Sequence, residues 1–135
     1  MPVLHGLRGA LVPISIDTSK LAVMRASLGA GATIVNDVAA LTAPGAVDLV
    51  AARGASAVLM HMQGTPASMN DGPRYDDVVG EVYEFLSARI VTCLDAGIPL
   101  DRLAVDPGIG FGKTKTQSRT LIDRPKSACA IWPIQ

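Results

Sequence analysis

The chain has 135 residues, 49% of them hydrophobic, and its 12 Lys and Arg balance 12 Asp and Glu. That length suits one domain of ordinary size with a core of its own. The even charge argues against nucleic acid or an anionic membrane as partner, and no apolar run reaches the ~18 residues that a membrane span needs.

Residues 1–11 lack a long apolar core followed by a small-residue cleavage site, so no signal peptide is expected. Cys93 and Cys129 are not spaced as a metal or redox pair, and Cys93 falls in a helical pattern as a small apolar residue. A reducing cytoplasm fits this cysteine usage.

In chain order, Val12 to Ile16 is the first short apolar run. Ser19 to Ala30 then places Leu21, Val23, Met24 and Leu28 at helical spacing and stops at Gly29 and Gly31. Thr33 to Val35 is the second apolar run. A second helix is expected from Ala43 to Arg53, with Pro44 near its start, Val47, Leu49, Val50 and Ala51 on its stripe, and Gly54 at its end. Ala57 to Met60 is the third run. The polar stretch Gln63 to Pro73 reads as a long loop of the kind that carries function. Arg74 to Ala96 is the longest helical pattern, with Val78, Val82, Phe85, Leu86, Ile90, Cys93 and Leu94 in a stripe closed by Gly97. Leu103 to Val105 is the fourth run. After Gly112 the β-α rhythm calls for a helix, but no clear stripe follows. Lys113, Lys115, Arg119, Arg124 and Lys126 face one acid, Asp123, and such a basic run reads as a solvated face or tail.

Continuous apolar runs of this length read as strands buried on both faces and therefore as parallel. Repeated β-α units imply a right-handed parallel α/β fold.

Each strand is followed by polar groups. Asp17-Thr18 ends the first, Asn36-Asp37 the second, His61-Met62-Gln63-Gly64 the third and Asp106-Pro107-Gly108 the fourth. Singly, each has a plain structural explanation: helix caps for the first two, a core histidine for His61, a tight turn at Asp106. Together they would converge on the carboxyl edge of the sheet, where parallel α/β folds bind ligands. Two carboxylates and an amide suit a flat heterocycle with several N–H groups, since a carboxylate accepts paired hydrogen bonds from an amidine-like edge. Metal binding by Asp17 and Asp106 has no compact ligand cluster behind it. Gly108 to Thr114 ends like a phosphate-binding loop, but Pro107 stands where that motif's first glycine belongs and has no N–H to offer.

Four segments carry a family resemblance: Ile14-Ser15-Ile16-Asp17-Thr18, Ile34-Val35-Asn36-Asp37-Val38, Leu59-Met60-His61-Met62-Gln63-Gly64-Thr65-Pro66 and Asp106-Pro107-Gly108-Ile109-Gly110-Phe111-Gly112-Lys113-Thr114. In this order and at these spacings they resemble successive motifs of dihydropteroate synthase, over about residues 2–114. The resemblance implies a (β/α)8 TIM barrel, of which this chain would supply about four parallel units, strands three to six. It implies a transferase of folate biosynthesis that joins a dihydropterin diphosphate to p-aminobenzoate, releasing pyrophosphate with the help of magnesium. It also implies that Asp17, Asn36 and Asp106 hydrogen-bond the pterin, that Met60 and Phe111 wall the ring, and that Val38 lines its pocket. The family is usually homodimeric.

The family's opening magnesium-linked Asn segment and its next mobile loop are not in these 135 residues, nor are its pterin-binding Lys and its later Arg-x-His site; Lys113 is not that Lys. Two domains are therefore expected: a partial barrel at 1–114 and a divergent, irregular tail at 115–135. The chain alone is expected to be inactive, with open sheet edges that favour aggregation. Two alternatives remain at this point: a non-catalytic pterin-binding or interaction fragment, and a folate-dependent methyltransferase type of pterin barrel.

Overall fold

The computed structural model describes residues 2–7, 9–65, 68 and 72–125. A short helix, α1 (Pro2–Gly6), precedes strand β1 (Ser15–Asp17). There follow α2 (Leu21–Gly29), β2 (Ile34–Asp37), α3 (Ala46–Arg53), β3 (Ser56–Met60), α4 (Val78–Asp95), β4 (Leu103–Asp106) and α5 (Lys115–Asp123). The four strands lie in the order β1-β2-β3-β4, every neighbouring pair parallel. A strand order that never reverses puts every right-handed crossover on one side of the sheet. That is the running order of a barrel wall, whereas a doubly wound sheet reverses order and carries helices on both faces.

The register decides what each face holds. Ile16, Val35, Ala57 and Leu103 align in one row, with Asp37, Leu59 and Val105 in the next outward-facing row. These residues meet the helices, in a core built from Met24, Leu28, Leu49, Val50, Val82, Leu86, Ile90 and Cys93. The opposite face carries Ser15, Asp17, Ile34, Asn36, Ser56, Val58, Met60, Ala104 and Asp106. Most of this inner face is exposed or half-buried. The expectation of strands buried on both faces therefore holds for the helix side only. The inner wall of a barrel is covered by strands across the axis, and the described residues contribute one continuous arc.

Two local boundaries differ from the sequence reading. The first strand starts at Ser15, and Val12 is 68% exposed, because its pairing with β2 begins only at Ser15 opposite Ile34. The expected irregular tail begins instead as the helix α5. The stripe is weak because only Ser118 and Leu121 are buried. The helix starts on a capping box: the Thr114 hydroxyl accepts from the Gln117 N–H at 3.2 Å, and Gln117 Oε1 accepts from the Thr114 N–H at 2.8 Å. The basic run is correspondingly divided, with Lys115, Arg119 and Arg124 exposed and Lys113 buried. Residues 126–135, with Cys129, lie outside the described residues.

The turn after β2 shows how a buried carboxylate can serve the fold. Asp37 is fully buried, and its two oxygens accept from the Ala39 and Leu41 N–H groups at 2.9 and 2.8 Å. These bonds hold Ala40 and Leu41 at positive φ, which side chains adopt only when constrained. Arg89 on α4 donates to the Ala40 and Leu41 carbonyls at 2.8 and 3.0 Å, tying the turn to the long helix. Burial raises the Asp37 pKa, and the two backbone N–H groups oppose that shift.

Removing the α5 cap tests whether this helix stands on its capping box. Thr114→Ala is expected to destabilise the fold by about 1 kcal/mol, measured by urea denaturation, and an unchanged midpoint would contradict it.

Candidate functional site

The carboxyl ends of all four strands meet at one edge. Asp17 pairs with Asn36, which pairs with Val58, which pairs with Ala104. Asp106 stands one pleat further along, opposite Met60. With strands about 4.8 Å apart and about 3.3 Å per residue, Asn36 and Asp106 lie about 12 Å apart at Cα. Asp17 and Asn36 are neighbours on one flank, Asp106 forms the other, and Met60 stands between them. The ladder continues into the site: the Thr18 N–H donates to the Asn36 carbonyl and the His61 N–H to the Asp106 carbonyl, both at 3.0 Å.

Asp17 is exposed and Asn36 half-buried, and among the described residues neither side chain makes a hydrogen bond. Asp106 is half-buried, and its Oδ1 accepts from the Gly108 N–H at 2.7 Å. The turn therefore takes one oxygen and leaves Oδ2 uncommitted. Asn36 and Asp37 divide the work of their dipeptide: Asp37 turns outward and caps, while Asn36 faces the inner wall. Val38 follows β2 and is half-buried, Met60 is 5% exposed, and Phe111 is half-buried in the loop after β4. The edge thus offers two carboxylates and an amide beside apolar surface, a set matched to a planar ligand rich in N–H donors.

His61 takes the structural role that its sequence context allowed. It is 6% exposed, and its ring meets Phe85 edge-on at 5.1 Å between centroids. Nδ1 lies 3.0 Å from Lys113 Nζ. Burial, then the Lys113 charge, lower its pKa to about 4. Lys113 was not legible as a buried residue within a basic run. It is 7% exposed, and its ammonium donates to the carbonyls of His61, Gly108 and Phe111 at 3.1, 3.0 and 3.0 Å. Burial lowers its pKa to about 8, against an upward pull from Asp106. The ammonium therefore persists at neutral pH and can only donate, so the proton of neutral His61 sits on Nε2. The one available signal was the position of this lysine, closing a glycine-rich loop whose carbonyls need donors.

The glycines permit the close approach. A Cβ on Gly108 would drive into the His61 carbonyl, and one on Gly112 would come within 2.5 Å of the Gln63 carbonyl oxygen. Tyr75 donates to the Gly112 carbonyl at 2.8 Å. Gln63 closes the base of the long loop by exchanging two hydrogen bonds with the Arg74 backbone. A recess of ≈ 680 Å³ lies beside α5, lined by residues including Ile109, Lys113, Lys115, Arg119 and Ile122. None of Asp17, Asn36 and Asp106 lines it. Among the described residues, no three His, Cys, Asp or Glu side chains come together to hold a metal ion.

A family model described as pterin binding enzyme matches residues 1–130. The chain belongs to the pterin-binding enzyme family. The match passes beyond the boundary expected at residue 114 and takes in α5. Dihydropteroate synthase of Neisseria meningitidis serogroup C is 47% identical over 123 residues, covering 90% of this chain and 44% of that relative. The crystal structure of dihydropteroate synthase from Stenotrophomonas maltophilia, with imidazole bound in its active site, superposes with a TM-score of 0.91 at 46% identity. It covers 96% of this chain and 49% of its own. The enzyme from Xanthomonas albilineans in complex with 7,8-dihydropteroate gives a TM-score of 0.85 at 45% identity, covering 96% of this chain and 48% of its own. The chain thus spans less than half the length of these relatives. Its arc of parallel strands corresponds to part of a TIM barrel.

The His61 environment has a pH signature. Unfolded histidine takes a proton near pH 6.5, whereas folded His61 refuses it until about pH 4. The associated stability is present above pH 6.5 and is lost as pH falls toward 4, by about 3 kcal/mol. Urea denaturation at pH 7 and pH 4 should show this loss in the native chain and a smaller one in His61→Gln; equal losses would remove His61 as the source.

Proposed function

We propose that these residues form part of the pterin site of a dihydropteroate synthase, the transferase that joins a dihydropterin diphosphate to p-aminobenzoate in folate biosynthesis. The observation that carries this reading is the shared edge of Asp17, Asn36 and Asp106, with hydrogen-bonding capacity uncommitted at all three. Family membership supports it, as does likeness to the Xanthomonas albilineans enzyme solved with 7,8-dihydropteroate.

On this reading, Asp106 Oδ2 and the Asp17 carboxylate accept from the N–H edge of the pterin. The Asn36 amide both donates and accepts. Met60 and Phe111 contact the ring, and Val38 closes the flank near Asn36. Holding the ring by its edge fixes where its methylene points, which is the positioning that attack by an amine requires. Water-free carboxylates bonded to N–H groups avoid the cost of burying a bare charge. Among the described residues no three carboxylates or imidazoles cluster to hold magnesium. We place magnesium with the diphosphate and with residues outside those described. The same reading carries the family's homodimer and cytoplasmic setting. The 135 residues alone are proposed to bind pterin without turnover, because they supply one arc of the wall around the ring.

Calorimetric titration of the protein with 6-hydroxymethylpterin tests the site. Asp106→Asn, Asp17→Asn and Asn36→Ala are each expected to weaken binding by about 10–100-fold. Native-like affinity in all three would sink the proposal. Turnover of both substrates by the 135-residue chain alone would overturn its proposed inactivity.

A further inference from the structure

We infer that Lys113 is a positioning residue for this site: its ammonium pins the glycine-rich loop to the end of β3, and so sets where Asp106 and Phe111 stand. The inference rests on the pterin-site reading above and adds to it a residue that need not touch the ligand.

The geometry is that of a pin between two segments. Four acceptors surround Nζ within 3.1 Å: His61 Nδ1 and the His61 carbonyl from the end of β3, and the Gly108 and Phe111 carbonyls from the loop. An ammonium has three hydrogens, so one is shared between two acceptors. Among the described residues no carboxylate oxygen lies within salt-bridge distance of Lys113. The cation is therefore solvated by backbone carbonyls in place of water, an arrangement that is costly to bury unless all its donors are used.

The loop needs such a pin. Gly108, Gly110 and Gly112 have φ of 69°, 81° and 60°, so three residues in five sit in a region that glycine enters readily and leaves as readily. Local bonds alone leave the loop under-determined. The Phe111 N–H closes a turn on the Gly108 carbonyl at 3.0 Å, and Ser118 Oγ accepts from Gly110 at 3.2 Å. Both ties join the loop to its own continuation. Lys113 and Tyr75 reach beyond it, Lys113 linking it to the β3 end and Tyr75 to the segment that precedes α4. The two ends of the pinned segment are site residues: Asp106, whose Oδ1 accepts from the Gly108 N–H, and Phe111, whose carbonyl accepts from Lys113. Loss of the ammonium would free the Phe111 carbonyl and the Gly108 turn together, blurring the carboxylate and the ring without touching either.

The test compares four proteins by calorimetric titration with 6-hydroxymethylpterin: the native chain, Asp106→Asn, Lys113→Met, and Lys113→Cys in a Cys129→Ser background treated with bromoethylamine. The last treatment rebuilds an ammonium on a side chain of nearly lysine length. Lys113→Met is expected to lose about tenfold or more in affinity, and aminoethylation of Lys113→Cys to restore binding to within about threefold of native. Imidazole ¹⁵N shifts of His61 provide the independent readout. Nδ1 should show a hydrogen-bonded acceptor in the native and aminoethylated proteins and lose that signature in Lys113→Met. Should Lys113→Met fail to fold, the aminoethylated protein and its untreated Lys113→Cys parent carry the same comparison. No binding by the native protein would refute the pterin reading itself. Native binding that Asp106→Asn abolishes and Lys113→Met leaves intact would overturn the positioning role alone. So would a His61 signal restored by aminoethylation without restored affinity.

Discussion

The close packing of the loop after β4 onto the end of β3 is the constraint on which the candidate site depends. Gly108 lies against the His61 carbonyl so tightly that no side chain fits there, and Gly112 does the same against Gln63. Around these contacts the lysine uses all its donors, the tyrosine donates to the Gly112 carbonyl, and the histidine offers Nδ1 to the lysine. Apolar burial could not produce this junction, because the groups brought together are mostly carbonyls. They repel one another until a donor is supplied, and Lys113 supplies it.

The sheet provides the second half of the arrangement. Parallel strands in sequential order send the crossover helices to one face, so most of the large apolar residues are spent there. The inner face is then free to carry small and polar groups. Alternation along each strand converts this into a division of labour between neighbours. Asp37 points into the helix layer and holds a turn, while Asn36 points the other way and keeps its amide open. Two adjacent polar residues thus answer to different demands, and the choice between them is made by strand parity.

The shared edge of the candidate site was legible from the polar residues that end each strand. Asp17, Asn36 and Asp106 were readable because each ends a short apolar run and because the four runs recur in order. The α5 helix was missed because its stripe holds a single large buried side chain, Leu121, although Thr114 and Gln117 stood at capping-box spacing. Lys113 was missed for a different reason. Its partners are His61, far away in sequence, and two carbonyls, and carbonyls carry no residue identity that a sequence can display.

By itself the sequence determined the alternation of strands and helices, the parallel α/β class and the family, because these follow from apolar periodicity and from motifs that are contiguous along the chain. Tertiary structure alone decided which polar residues remain open for a ligand. It assigned Asp37 to a turn, His61 to a buried neutral ring and one oxygen of Asp106 to its own loop. It also turned Lys113 inward. The reason is physical: whether a polar group is spent on the fold or kept for a ligand depends on the donors and acceptors within about 3 Å of it, and most of those come from elsewhere in the chain.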